Sequence, residues 1–332
     1  MKKKIAILTL IVVALFVVSM LVGRYNTDPS MVLRLIASRF VPVEPTWNDT
    51  LETIIFGIRL PRAIIAMFVG AGLSISGAAF QGMFRNPLVS PGNLGVSSAA
   101  GFGAAVAIFL SLSGTMVQVV AFVFGIIGVT VTYFISRVYK TTPLLMLVLS
   151  GMVVGALFTS LTSLIKFVAD PYEKLPAITF WLMGGLSSIL PADMLLTVPP
   201  IIIGATGLIL IRWRINILSM GDEEARSLGI NTELLKVFIV ICSTIITAAA
   251  VSAAGLIGWV GLVVPHMARM IVGPDHRVVL PTSFLIGAAY LLLIDNIART
   301  VSAAEIPLGI LTSVVGAPFF IYLIRKTKGA WS

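Results

Sequence analysis

The sequence predicts an all-α, polytopic membrane protein with about ten transmembrane helices, and three observations carry that prediction. Of 332 residues, 58% are apolar and only 11% are charged, with a mean hydropathy of +1.05. A soluble domain carries about 25% charged residues to cover its surface, so most of this surface must meet lipid. The apolar residues fall in long runs, and a helix rising about 1.5 Å per residue needs about 20 of them to cross a hydrocarbon core of about 30 Å. The 23 basic residues outnumber 14 acids, giving a formal charge of +9. They gather in alternate loops, so the excess reads as membrane topology and not as a nucleic-acid surface.

The first run, Ile5 to Val22 behind Lys2-Lys3-Lys4, is longer than a signal-peptide core of about 7–15 residues, and no A-x-A-like site follows it. It predicts an uncleaved helix entering from the cytoplasm. Further runs lie at about 60–83, 94–112, 115–136, 143–167, 194–211, 234–253, 256–272, 278–297 and 306–324. An even number of spans returns the chain to its starting side, and Arg325-Lys326-Thr327-Lys328 matches the N-terminal lysines. Both termini are therefore expected in the cytoplasm, with Arg85, Arg137, Lys140, Arg212, Arg214, Arg226, Lys236, Arg269 and Arg277 inside. The outer cations are offset by acids such as Asp28, Glu52, Asp170, Asp295 and Glu305.

The whole chain, 1–332, reads as one membrane domain with three surface segments. Two outer ones, 24–58 and 168–193, have room for short helices lying on the surface, where Tyr172 and Trp181 suit the interface. The third, 212–233, is polar and inner. Within the spans, Gly70 to Ala79 and Ala248 to Gly255 are built of small residues that let helices approach closely in lipid. The two would run in opposite directions, as an inverted repeat requires.

Catalytic triads, paired carboxylates, haem ligands and proton relays need polar groups at one depth in several spans, and the runs offer few. His266 and His276, at the inner edge of a helix, read as structural residues. Cys242 alone forms neither an intrachain disulfide nor a metal cluster. No G-x-x-x-x-G-K-S/T loop occurs, so an ATPase driving this chain must be a separate one. Asp295 and Arg299, four apart, read as an ion pair on one helix face. In the inner segment Asp222 is expected to cap a short helix, with Glu223 and Glu224 near its positive end and Gly229 stopping it. That helix is either a solvated loop element or a coupling helix fitted to a cytoplasmic motor.

Taken in order, Arg59-Leu60-Pro61-Arg62, Gly77-Ala78-Ala79-Phe80-Gln81, Asn86-Pro87-Leu88-Val89-Ser90-Pro91-Gly92, Glu224-Ala225-Arg226-Ser227-Leu228-Gly229, Gly258-Trp259-Val260-Gly261, Val264-Pro265-His266, Asp275-His276-Arg277, Glu305-Ile306-Pro307-Leu308-Gly309 and Gly316-Ala317-Pro318-Phe319 resemble the FecCD-type permeases of ABC importers for iron-siderophores, haem, cobalamin and related metal compounds. The resemblance covers about residues 55–325. It implies a ten-helix subunit of cobalamin-importer-like fold, a type II importer permease of a prokaryotic inner membrane. It also implies a second permease subunit forming a homodimer, two cytoplasmic ABC ATPases that hold ATP and Mg, and an extracytoplasmic substrate-binding protein. This chain itself would carry no cofactor or metal and would not be an enzyme. Membrane lipid surrounds it.

Carried over residue by residue, the resemblance assigns Glu224, Ala225, Arg226, Leu228 and Gly229, with the adjoining Asp222 and Glu223, to ATPase coupling. Arg59, Arg62 and Arg299 match outer arginines that meet acidic residues of the binding protein, a role suited to the guanidinium fork; read without the resemblance, they snorkel to lipid headgroups. Asn86, Leu88, Thr141 and Thr142 match the cytoplasmic gate. The fifth and tenth spans line the pathway in the family, here around Ser150, Gly151, Thr159, Thr312 and Gly316. The alternative function is an ion-coupled secondary transporter, which would work without an ATPase.

Overall fold

Helices form where the apolar runs lie. The structure is a computed structural model and describes residues 2–23, 25, 27–39, 41, 42, 44, 47–137, 144–302 and 304–326. The helices are α1 (Lys2–Leu21), α2 (Pro29–Ala37), α3 (Asp49–Glu52), α4 (Leu60–Phe84), α5 (Val96–Phe109), α6 (Gly114–Ser136), α7 (Leu144–Val168), α8 (Lys174–Met183), α9 (Asp193–Leu210), α10 (Arg212–Leu218), α11 (Asp222–Ser227), α12 (Thr232–Ala254), α13 (Val260–Val272), α14 (His276–Thr300) and α15 (Leu308–Lys326). A π-helical stretch, Thr53–Arg59, runs directly into α4. Among the described residues seven helices are long and apolar enough to cross a membrane, and α5, α13 and α15 are shorter apolar helices. Together they match the ten expected spans of a multi-pass membrane protein.

Local chemistry sets the boundaries. Asp28 accepts a hydrogen bond from Ser30 N at 2.8 Å, and Pro29 at the first helical position starts α2. Asn231 and Asp275 cap α12 and α14 in the same way. Two spans differ from their sequence runs. The run at 94–112 becomes a 3₁₀ turn (Pro91–Leu94) and the short α5, and that at 256–272 loses its first turn to an irregular stretch before α13. Helices of 14 and 13 residues rise only about 20 Å, so non-helical backbone completes each crossing. Irregular backbone at membrane depth must be covered by protein. The 3₁₀ turn meets this condition, because Gly151 of α7 packs onto Asn93 and Leu94.

The core is built around α4 and α12, while α1 and α7 lie at the periphery with most of their surface free. Small residues make this possible. A methyl group on Gly70 would lie 2.2 Å from the carbonyl oxygen of Gly287 in α14, and one on Gly77 would lie 1.9 Å from that of Gly261 in α13. Neither approach tolerates a larger residue without separating the helices. Ser76 of α4 donates to the Ser243 carbonyl of α12 at 3.3 Å.

The bundle has two polar ends. At the basal end Lys4 of α1 donates to the Ile271 carbonyl at 2.6 Å, and the His276 amide donates to Asn216 at 2.9 Å, gathering α1, α10, α13 and α14. Helix α11 lies here too. At the distal end the amide of Gly185 donates to Ala254 O and that of Leu308 to Gly184 O, each at 2.9 Å. These bonds tie the ends of α8 and α12 to the start of α15. The two histidines do not share a helix edge: His266 lies within α13, and His276 is the buried first residue of α14.

Candidate functional site

At the basal end, α11 is a short helix held by its inner face. Ala225 is fully buried, and the carbonyls of Ala225 and Arg226 accept from the amides of Ile230 and Gly229 at 3.0 and 2.9 Å, closing its C-terminus. The expected cap is corrected. Gly221 occupies that position, and the Asp222 carboxylate instead forms an ion pair with Lys236 of α12. Arg226 Nε donates to Thr232 Oγ1 at 3.2 Å. These contacts leave Glu223, Glu224, Ser227, Leu228 and Gly229 exposed. Met220 and Leu228, each more than 60% exposed on an otherwise polar loop, stand beside them. A helix of six residues could not hold its shape alone in water; its ion pair and the buried alanine fix it to the membrane core.

Of the expected gate residues, Asn86 and Leu88 share one exposed turn, in which Asn86 Oδ1 accepts from the Leu88 amide at 2.9 Å. Thr141 and Thr142 lie outside the described residues.

The three distal arginines are not offered outward. Arg59, Arg62 and Arg299 are 3%, 6% and 5% exposed. Arg59, at the end of the π-helical stretch, donates to the carbonyls of Met20 (2.8 Å), Leu21 (3.1 Å) and Tyr25 (2.7 Å). Arg299 donates to the Ser19 carbonyl at 2.6 Å and to its hydroxyl at 2.8 Å, and bonds Asn296. The last carbonyls of a helix have no intrahelical donor, and here two guanidinium groups supply the missing donors and place positive charge at the negative end of α1. Arg62 grips Asp295 of α14 through Nε and Nη2 at 2.9 and 2.8 Å and Glu305 through Nη1 at 3.0 Å. In this arrangement all three guanidinium groups are buried and hydrogen-bonded within the chain. The expected Asp295–Arg299 pair is present but long, at 3.7 Å, and Arg62 holds the carboxylate instead. Glu305, with its side chain 26% exposed, carries this network to the distal surface.

The expected pathway residues divide. Thr159 is exposed on α7, with its hydroxyl bonded to the Gly155 carbonyl at 2.8 Å. Ser150, Gly151, Thr312 and Gly316 are buried: Gly151 packs on the 3₁₀ turn and Gly316 on the Trp259 side chain. The free faces of α7 and α15 present Met152, Val153, Leu157, Ile310 and Val314 instead. Spacing in sequence does not fix the rotation of a helix that is apolar all round. The Lys236–Asp222 and Arg62–Glu305 pairings were also illegible in sequence, since each joins separate elements.

Among the described residues no group of three His, Cys, Asp or Glu side chains could hold a metal ion. The residues described above are the ends and free faces of a membrane helix bundle. Comparison with known proteins agrees with that description. The model of the FecCD transport family matches residues 10–326. The molybdate import system permease protein MolB of Haemophilus influenzae is 40% identical over 323 residues, covering 97% of this chain and 95% of that protein. The cobalamin import system permease protein BtuC of Halobacterium salinarum is 42% identical, covering 84% of this chain and 75% of that protein. Among solved structures, a transporter of the metal-chelate ABC type in an inward-facing conformation superposes with a TM-score of 0.87 at 38% identity, covering 98% of this chain and 100% of that one. With its ten apolar spans, its basal helix α11 and a family match over nearly its whole length, this chain belongs to the FecCD transport family and is a permease subunit of an ABC importer.

Proposed function

We propose that this permease moves a metal compound inward across the cytoplasmic membrane by alternating access, driven by two separate ATPase subunits that hold ATP and Mg. The cargo class is an iron-siderophore, haem, cobalamin or a related metal compound, molybdate included. Both termini lie in the cytoplasm, so the basal end is the inner one. Helix α11 carries the proposal: it is pinned to the core by Ala225 and the Asp222–Lys236 pair, yet it presents Glu223, Glu224 and Leu228 to water. Exposed apolar residues on a charged, rigidly held helix are the mark of a partner surface. Motion of the ATPases is transmitted through this segment to α12 and the bundle. This chain performs no hydrolysis.

The exposed faces of α7 and α15 form the contact with a second, identical permease, and Thr159 faces the pathway between them. Asn86 and Leu88, with Thr141 and Thr142, close the pathway on the inner side. An extracytoplasmic binding protein docks on the distal rim around Glu305, which the three buried arginines hold in shape. A wall poor in formal charge fits a cargo that must slip past without tight capture, and selectivity then resides in the binding protein.

The test is uptake of a labelled panel (a ferric siderophore, haemin, cobalamin and molybdate) by proteoliposomes containing the permease, its ATPase and its binding protein. ATP-dependent accumulation of one panel member is expected. Accumulation of none, or accumulation that an ion gradient drives without ATP, overturns the proposal.

A further inference from the structure

Helices α6 and α9 both pack on α12 and little on each other. The gap between them is a groove of about 650 Å³ along α12, lined by residues such as Tyr133 and Phe134 of α6, Ile203 of α9, and Val237, Ile241 and Ile245 of α12. The stripe continues basally through Phe238 and Leu234 into a neighbouring cleft of about 500 Å³, which Arg214 also lines. Ile241, Phe238 and Leu234 are all well exposed.

Both walls of this groove end in cations. Arg137 follows α6, and its guanidinium lies 5.8 Å from the centre of the Tyr133 ring, itself a groove residue. Beyond the end of α9 stands Arg214, exposed in the basal cleft beside the exposed Trp213, whereas Arg212 lines a separate cleft with Asp275 and Arg277. Among the described residues no carboxylate lies within 4.0 Å of Arg137, Arg212 or Arg214. Other basal cations differ, since Lys236 and Arg277 are paired with Asp222 and Asp275. An apolar groove thus opens between unneutralised guanidinium groups at one membrane surface.

We propose that this groove is a binding site for an anionic phospholipid. Its acyl chains lie along the Ile245–Ile241–Phe238 stripe, and its phosphate is held at the basal rim by Arg137 and Arg214, with Trp213 at headgroup level. Charge selects the occupant: a zwitterionic lipid fills the groove but neutralises none of the rim, and basic pockets between transmembrane helices are the recognised setting for anionic headgroups. The site requires neither a particular cargo nor a particular orientation of the chain. The basal cleft also includes Leu228 and Gly229, so the bound headgroup sits beside the end of α11.

The test is native mass spectrometry of the full-length permease in detergent, titrated with phosphatidylglycerol or with phosphatidylcholine of the same acyl chains. Wild type is expected to retain phosphatidylglycerol at least tenfold more tightly. Replacing Arg137 and Arg214 by Gln lowers that affinity about fivefold per residue and leaves phosphatidylcholine unchanged. The second variant, Ile241→Trp, fills the groove from a lipid-facing position and lowers retention of both lipids. Equal affinity for the two lipids, or an unaltered preference in the double arginine variant, overturns the proposal. Displacement of the lipid by millimolar inorganic phosphate overturns it in favour of a free-anion site. A change in oligomeric state but not in lipid adducts for Ile241→Trp identifies the face as a subunit interface and also overturns it.

Discussion

Arg62→Met removes one charge and little volume from the distal network, and its cost follows from what remains. Asp295 is fully buried, and once Arg62 is gone its nearest cation is Arg299, whose Nε lies 3.7 Å away and whose Nη2 is committed to Ser19 and Asn296. Glu305 loses its partner as well. Removing one member of a buried pair typically costs about 3–5 kcal/mol, because the other charge is left uncompensated, whereas replacing both members by apolar residues is often close to neutral. The double variant Arg62→Met/Asp295→Leu is therefore expected to be more stable than Arg62→Met alone, with a coupling energy of at least about 2 kcal/mol. A double-mutant cycle from unfolding titrations in one mixed-micelle system measures it. A double variant destabilised by the sum of the two single changes would refute the reasoning, since the two side chains would then be acting independently.

Three further outcomes follow from the same contacts. Gly77→Ala places a methyl group 1.9 Å from the Gly261 carbonyl oxygen, so α4 and α13 must separate at a cost of about 1–3 kcal/mol; an unchanged thermal midpoint contradicts the close approach. Lys236→Met frees Asp222 and loosens α11, which is expected to speed amide exchange at 222–227 and weaken ATPase co-purification while the spans stay protected; unchanged exchange contradicts the clamp. Arg59→Ala strips donors from the last turn of α1, and faster exchange confined to residues 19–25 is expected; no local change shows that the carbonyls find other partners.

The spans were legible because lipid imposes one simple demand, a run of apolar residues long enough to satisfy every backbone group within a helix. That demand placed Gly114–Ser136 and Thr232–Ala254 to within about two residues of their sequence runs. It misjudged α5 and α13, because irregular backbone such as Pro91–Leu94 is apolar too and takes its cover from other helices. Charge told which loops share a side but not which arginines are free. Arg62 lies 233 residues from Asp295, and only the fold reveals that its fork is already filled. For the same reason Ser150 and Thr312 were assigned to a free face: a helix such as α7 is apolar on all sides, so its pattern marks no inward stripe. The exposed part of α11 was legible because a short acidic helix followed by glycine stands out among apolar runs, whereas its anchor, Lys236, was not.

The most direct test of the central claim is cargo uptake and ATP hydrolysis in proteoliposomes with the cognate ATPase, comparing wild type with Glu224→Arg. Glu224 is exposed on α11 and, among the described residues, takes part in no ion pair, so charge reversal breaks none of the contacts that hold the bundle. Wild type is expected to couple uptake to ATP, and the variant to lose uptake while its ATPase dissociates or runs uncoupled. Uptake that proceeds equally with no ATPase present would contradict the account and make this chain an ion-coupled secondary transporter.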